Sequence, residues 1–213
     1  MAQSKAPPFT LYEYRPSPFC VAVRVAMNEC SVQFTPREVD LGKPRTAAFL
    51  KRSPFGRLPA LVEHRPGGEL AIFESPAILM FLGERFPDSA LGFTDLTARG
   101  EAYSWLSYMS TGFAHELWTL LYESKVYGSS EQSPRVLDRA SAEFERHMEV
   151  LDKHLARRAF LAGDYSVADT FATPLLDLLE HSALDLDGFP RVRAWRDRLR
   201  ERPSYTNVWP HDD

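Results

Sequence analysis

Few side chains in this sequence combine a reactive type with a telling position, and the clearest are Ser17 and Cys20 in the run Ser17-Pro18-Phe19-Cys20. Upstream, Thr10 to Tyr14 is rich in aromatic and β-branched residues with alternating character, which predicts a strand. Pro16 and Pro18 have no N–H to give a sheet ladder and end it. From Phe19 to Met27 the residues are almost all apolar, and no glycine or proline follows until Pro36. Val21, Val25 and Met27 with Ala22 and Ala26 predict a buried helix, on which Arg24 and Asn28 form a polar stripe. Ser17 therefore stands where a helix begins. Unpaired N–H groups and the positive end of the dipole meet there and favour an anion. A hydroxyl at this place can donate to that anion, or it can simply cap the helix beside a proline at the first helical position.

The flanking elements follow from the same rules. Val32, Phe34 and Val39 predict a second strand, parallel to the first across the helix. Gly42 to Arg52 reads as a loop holding a short helix at Thr46–Leu50, flanked by Lys43 and Arg45 as surface charges. Ser53-Pro54-Phe55-Gly56-Arg57-Leu58-Pro59 leads into the apolar run from Ala60. Glu63 to Glu69 is a turn cluster between two apolar runs and predicts a hairpin. After Glu74, Ser75 is placed as an N-cap with Pro76 at the first helical position, and the helix runs to Pro87.

Past Asp88 the pattern becomes helical only. Leu106, Met109, Phe113, Leu117 and Leu120 recur at helical spacing within 97–127. Ser133-Pro134 opens a helix marked by Phe144, Met148, Leu151 and Leu155. Ser166 and Asp169 form a capping box for a third helix that contains Pro174. A basic amphipathic helix with Val192, Trp195 and Leu199 follows Phe189-Pro190, its arginines read as a solvated face.

Ser17-Pro18-Phe19-Cys20 resembles the Cys-Pro-(Phe/Tyr)-Cys of glutaredoxins with oxygen replacing the first sulfur. Together with Val23-Arg24-Val25-Ala26-Met27 it resembles the first helix of soluble glutathione transferases, where Ser17 matches the active-site serine of the tau and zeta classes. The omega class carries its cysteine at the same place. Ser53 to Leu61 is similar to the segment that carries a cis-proline in these enzymes, and Glu74-Ser75 to their Glu-Ser pair. Ser166 to Asp169 matches their late capping box, with Thr170 a departure from the larger aliphatic residue expected next. The resemblance covers nearly the whole chain.

It implies an α/β plus all-α fold: a thioredoxin-like N-terminal domain over 1–87, a linker over 88–96, and a helical-bundle C-terminal domain over 97–213. It implies glutathione as co-substrate and no metal. Ser17 would donate to the thiolate, the Leu58 backbone before Pro59 would pair with the cysteinyl backbone, and Arg57 would lie near the glycine carboxylate. Glu74 and Ser75 would hold the γ-glutamyl end. A small hydrophobic electrophile would sit between the domains, with Tyr108, Gly112 and His115 on one helical face and Arg15 and Phe19 beside Ser17 as candidates. The expected reaction is conjugation or glutathione-dependent isomerisation, in a homodimer that draws contact area from Tyr103, Trp105, Tyr108, Phe113 and Trp118. Two other readings are a thiol-disulfide oxidoreductase using Cys20 and a non-catalytic interaction module of the same fold.

Composition removes other classes. With 44% hydrophobic and 25% charged residues, the 213-residue chain can bury a core. A net charge of −4 gives no electrostatic reason to bind nucleic acid. Two cysteines, Cys20 and Cys30, make neither a disulfide framework nor a zinc spacing. Neither a leader at the N-terminus nor an apolar run of about 20 residues is present, so a soluble, cytoplasmic protein is the expectation.

Overall fold

The computed structural model describes residues 8–128, 130–179, 186–206 and 208. Apart from Pro8, the N-terminal segment read for a leader lies outside the described residues. The chain divides into two compact units, Met1–Phe93 with Pro203–Asp213, and Thr94–Arg202.

The first unit is built on a four-stranded sheet of order β2-β1-β3-β4. The strands are β1 Phe9–Glu13, β2 Phe34–Glu38, β3 Ala60–Arg65 and β4 Gly68–Phe73. Helix α1, Pro18–Glu29, carries the chain from β1 to β2, which pair in parallel. β3 is antiparallel to β1, and β4 to β3. The short α2, Ala47–Leu50, is capped by Thr46, whose side chain accepts from the Phe49 N–H. Helix α3 spans Ser75–Arg85. This order is the thioredoxin-like arrangement. Strand alternation sorts the core: Leu11 is buried, and Phe9 meets Phe86 edge-on at 6.1 Å beyond the end of α3. On the other face Tyr12 stacks on Phe49 of α2 at 5.5 Å. Helices α1 and α3 pack together. Pro36 is tolerated because β2 is an edge strand.

The helical domain expected over 97–213 stops earlier. Beyond Arg202 the chain belongs to the first unit: Tyr205 and Val208 pack with Val21 and Val25 of α1. The Asn28 amide donates to the Ser204 carbonyl at 2.9 Å. Apolar burial against α1, which no local pattern reveals, sets this boundary.

The second unit contains α4 Leu96–Tyr108, a π-helical turn Met109–Phe113, α5 Ala114–Leu121, a second π segment Tyr122–Val126, α6 Pro134–His154, α7 Val167–Leu178 and α8 Pro190–Arg200. Asp95 caps α4 through the N–H groups of Thr97 and Ala98. Phe113 is fully buried at 5.3 Å from Phe144, and Trp105 lies 4.3 Å from the ring of His154. Phe113 is thus spent inside this unit and offers nothing to a subunit contact. The capping box of α7 forms as its residue types dictate. Thr170 is buried without an aliphatic role; its hydroxyl donates to the Ser166 carbonyl at 3.0 Å and lies 2.9 Å from Tyr165 Oη.

Helix α8 starts at Phe189, whose side chain cannot cap it. Asp152 of α6 caps it instead: Oδ1 accepts from the N–H groups of Arg191 at 2.7 Å and Val192 at 3.3 Å, and Oδ2 from Arg191 Nη1 at 2.6 Å. Burial works to raise this carboxyl, but the hydrogen bonds from Arg191 and Val192 outweigh it and hold it below the ordinary value. A carboxylate depressed in the fold stabilises fully above its unfolded pKa, about 3.9, and loses that contribution as pH falls through the folded value. Asp152→Asn should therefore flatten the acid limb of stability below about pH 5. Urea midpoints measured across pH check this; an unchanged acid limb would contradict it.

Candidate functional site

The register of the sheet gathers the sequence motifs at one place. Tyr12 of β1 lies opposite Ala60 of β3, and Ala60 lies opposite Phe73 of β4. The next residues off that row are Glu13, leading to Ser17; Pro59, preceded by Leu58; and Glu74, followed by Ser75. Three motifs spread over nearly sixty residues thus leave one end of the sheet side by side, across two inter-strand spacings, or about 10 Å.

Ser17 is the N-cap residue of α1, half-buried, with Pro18 following. Its N–H donates to the Tyr14 carbonyl at 2.9 Å, which closes the proline turn. Its carbonyl accepts from Cys20 and Val21. Its hydroxyl does not bond to the N–H groups of its own helix, so the role of simple cap is not the one it fills. No acidic side chain occupies the first turn, and the positive end of the dipole is not neutralised there.

Cys20 is wholly buried and not in a disulfide. The Tyr14 N–H lies 3.5 Å from its sulfur. Burial pushes the thiol up to about 11, against smaller downward pulls from the Tyr14 backbone and the Ser17 side chain. A thiol in that state is neutral near pH 7 and a poor nucleophile.

Pro59 follows a cis peptide bond from Leu58, which is half-buried. Arg57 is exposed, and its carbonyl accepts from Ser53 Oγ at 2.8 Å. The loop before Leu58 is fixed by Arg45, which bonds the carbonyls of Gly56 at 3.0 Å, Asp40 at 3.0 Å and Lys43 at 3.1 Å. Arg45 is thus a clamp rather than the surface charge its loop context suggested; only a tertiary contact with Gly56 distinguishes the two.

Glu74, not Ser75, is the N-cap residue of α3; Ser75 is buried in its first turn. Glu74 has φ 66°, a left-handed conformation that a non-glycine residue adopts at a cost, and it is exposed. Its carboxylate makes no capping hydrogen bond, and among the described residues no side chain caps the helix N-terminus beside Ser75. One acid and one helix start can hold an amine and a carboxylate together.

Arg15 is exposed and Phe19 half-buried on either side of Ser17. In the second unit, Tyr108 Oη lies 2.6 Å from His147 Nδ1 of α6, and burial lowers the imidazole pKa and raises that of the phenol. Gly112 permits this approach: a Cβ there would come within 3.3 Å of His147 Cε1. His115 does not join them and is exposed. The π turn at Met109–Phe113 is wider than an α turn, so a face drawn at α spacing from Tyr108 is rotated by the time it reaches His115. His147, which lies outside the helix that prompted the expectation, was missed for want of any local signal. Among the described residues no group of three or more His, Cys, Asp or Glu is placed to hold a metal ion, and no helix is long and apolar enough to cross a membrane.

Known proteins share this architecture along the whole chain. Residues 11–90 match the glutathione S-transferase N-terminal domain and residues 101–203 the glutathione S-transferase C-terminal domain. The disulfide-bond oxidoreductase YfcG of Escherichia coli (strain K12) is 30% identical over 198 residues, covering 90% of each chain. Glutathione S-transferase 3 of Zea mays is 29% identical over 208 residues, covering 93% of this chain and 91% of its own. The glutathione transferase URE2P6 from Phanerochaete chrysosporium, solved with oxidized glutathione, superposes with a TM-score of 0.87 at 26% identity over 97% of both chains. By both its halves and its full-length likeness, the chain belongs to the glutathione S-transferase family.

Proposed function

We propose that this protein binds glutathione along the end of the sheet where β1, β3 and β4 release their motifs, and that Ser17 stabilises the thiolate for attack on a small hydrophobic electrophile. The register that sets Ser17, Leu58-Pro59 and Glu74-Ser75 side by side carries this reading. An extended tripeptide would pair its cysteinyl backbone with Leu58 and its γ-glutamyl carboxylate with Ser75 and the start of α3. Its amine would meet Glu74, and Arg57 would approach the glycine carboxylate.

The magnitudes suffice. A free thiol has a pKa of about 8.5, and lowering it by about two units requires about 2.7 kcal/mol. A hydrogen bond to a charged group supplies about 1.5–3 kcal/mol, and a helix dipole about 0.3–1. Ser17 acts as donor only, since among the described residues no base is hydrogen-bonded to it to activate it as a nucleophile. On the same reading Arg15 and Phe19, beside Ser17, are candidate contacts for the electrophile.

A second reading draws on the oxidoreductase relative: the bound thiolate attacks a disulfide, forms a mixed disulfide with glutathione and expels the other thiolate. Cys20, buried with its thiol raised, supplies no nucleophile for either reaction. Disulfide-reduction and aryl-halide conjugation assays on one preparation separate the two.

The binding site is tested through Glu74. Glu74→Ala removes the acceptor of the amine and should weaken reduced glutathione about tenfold in calorimetric titration, the low end of a charged hydrogen bond. An unchanged titration in the folded variant would refute the site.

A further inference from the structure

On α1 the side chains of Ser17, Cys20 and Arg24 fall at positions i, i+3 and i+7, one face of the helix. Arg24 reads in sequence as part of a polar stripe with Asn28, yet only 7% of it is exposed. Glu13, at the end of β1 and on the strand face shared with Leu11, is 1% exposed. The two charges meet at 3.6 Å between Arg24 Nη1 and Glu13 Oε2. Arg24 Nη2 donates to the Arg15 carbonyl at 2.8 Å. Arg15 is the second residue before Ser17.

The pair is poorly built for stability. Glu13 Oε2 and Arg24 Nε are buried and have no hydrogen-bond partner. Burial raises the carboxyl and lowers the guanidinium from their ordinary values, so the fold disfavours both charges. Buried ion pairs of loose geometry seldom return their desolvation cost, and apolar residues would serve a core better. What the pair does accomplish is local. The groups that face Arg24 are Glu13, Arg15, Cys20 and Glu38. Around them the turn is tied at nearly every residue. Val39 N–H donates to the Glu13 carbonyl at 2.8 Å, Tyr14 N–H points to the Cys20 sulfur, and Arg15 N–H donates to Glu38 Oε1 at 3.2 Å. The Ser17 N–H closes on the Tyr14 carbonyl. Arg24 is the charged tie that runs from the helix back to the turn.

We propose that Arg24, anchored by Glu13, is a positioning residue: it fixes the Arg15–Ser17 turn so that the Ser17 hydroxyl is aimed at a bound sulfur. The inference rests on the reading of Ser17 as thiolate donor given above. It concerns a residue that touches no ligand and acts through another.

The test is a double-mutant cycle read on the apparent pKa of the thiol of bound reduced glutathione, followed by ultraviolet thiolate absorbance. Ser17→Ala, Arg24→Met and the double variant are compared with the parent, with calorimetric affinity for reduced glutathione measured on each. Arg24→Met should raise the thiol pKa by about one unit, a tenfold loss of thiolate at fixed pH. Affinity measured near pH 6, where the bound thiol is largely protonated, should stay within about threefold, because the contacts at Leu58, Glu74 and Ser75 are untouched. The double variant should match Ser17→Ala alone, since removing the hydroxyl leaves Arg24 nothing to aim. Additive shifts would overturn the proposal in favour of a general structural role, and so would an Arg24→Met protein with an unshifted thiol. If Ser17→Ala leaves the pKa unchanged, the reading of Ser17 fails, whatever Arg24→Met does, and the positioning role falls with it. Should Arg24→Met not fold, Glu13→Gln, which keeps the shape and removes the anchor charge, is read in the same cycle against the same outcomes.

Discussion

Replacing Asp169 by alanine is expected to destabilise the protein by about 4 kcal/mol or more, a large part of the 5–15 kcal/mol typical of a folded domain. The carboxylate is completely buried and accepts four hydrogen bonds. The donors are Leu161 N–H at 3.0 Å, Ser166 N–H at 3.0 Å, Ser166 Oγ at 2.9 Å and Trp195 Nε1 at 3.0 Å. Alanine strands at least the two distant donors, Leu161 N–H and Trp195 Nε1, each at about 1–3 kcal/mol for a buried group without a partner. Burial pushes this carboxyl up to about 6, so the comparison belongs at pH 7.5, where the parent is ionised. The measurement is the urea midpoint with its slope; a loss below about 1 kcal/mol would mean that the cap alone, and not the junction of α7 with α8 and the Leu161 turn, is what Asp169 supports.

Conjugation should respond to Ser17 more than to any other single side chain. Ser17→Ala is expected to lower kcat toward an aryl halide by about 10- to 100-fold, the value of one hydrogen bond to a charged group. The KM for glutathione should change little, because that bond is made to the sulfur and the remaining contacts hold the tripeptide. Ser17→Cys is expected to differ in kind. A thiol at the start of α1 is acidified by the N–H groups and dipole there, unlike Cys20 one turn further in and buried. That variant should gain a mixed disulfide with glutathione, visible by mass spectrometry, and lose conjugation. Equal conjugation by the parent and Ser17→Ala would mean that the Ser17 hydroxyl does not meet the sulfur.

Local chemistry made much of this legible. Pro16 and Pro18 mark the break between β1 and α1, Pro66-Gly67 falls between β3 and β4, and Ser166 with Asp169 announces the start of α7. Each is a short-range constraint on φ, ψ or a donor, so the residue types suffice. What escaped depends on partners far along the chain. Arg24 reads as solvent-facing until Glu13 at the end of β1 is known to face it. Asp169 reads as a cap until Trp195 arrives 26 residues later. Asp152 gives no hint that it caps α8, and Tyr205 none that it leaves the helical unit to pack on α1. His115 fell off the expected face because a π turn, signalled by nothing but Gly112, changed the periodicity.

The candidate site divides in the same way. Ser17, Leu58-Pro59 and Glu74-Ser75 were found as separate motifs with the order of a known family. Their convergence follows from strand register, which the residues Tyr12, Ala60 and Phe73 define only once paired. The left-handed backbone of Glu74 was not foreseen either, since Ser75 is the better capping type and Glu74 takes the cap position at a conformational cost.

The central claim is that this chain holds glutathione with its sulfur ionised by Ser17. The most direct measurement is a pH titration of thiolate absorbance for reduced glutathione bound to the parent protein, with the Ser17→Ala protein alongside. The account predicts a bound thiol that titrates about two units below the free value of about 8.5 in the parent, and a return most of the way to that value in Ser17→Ala. A bound thiol that titrates at the free value in the parent, or identically in both proteins, would contradict it.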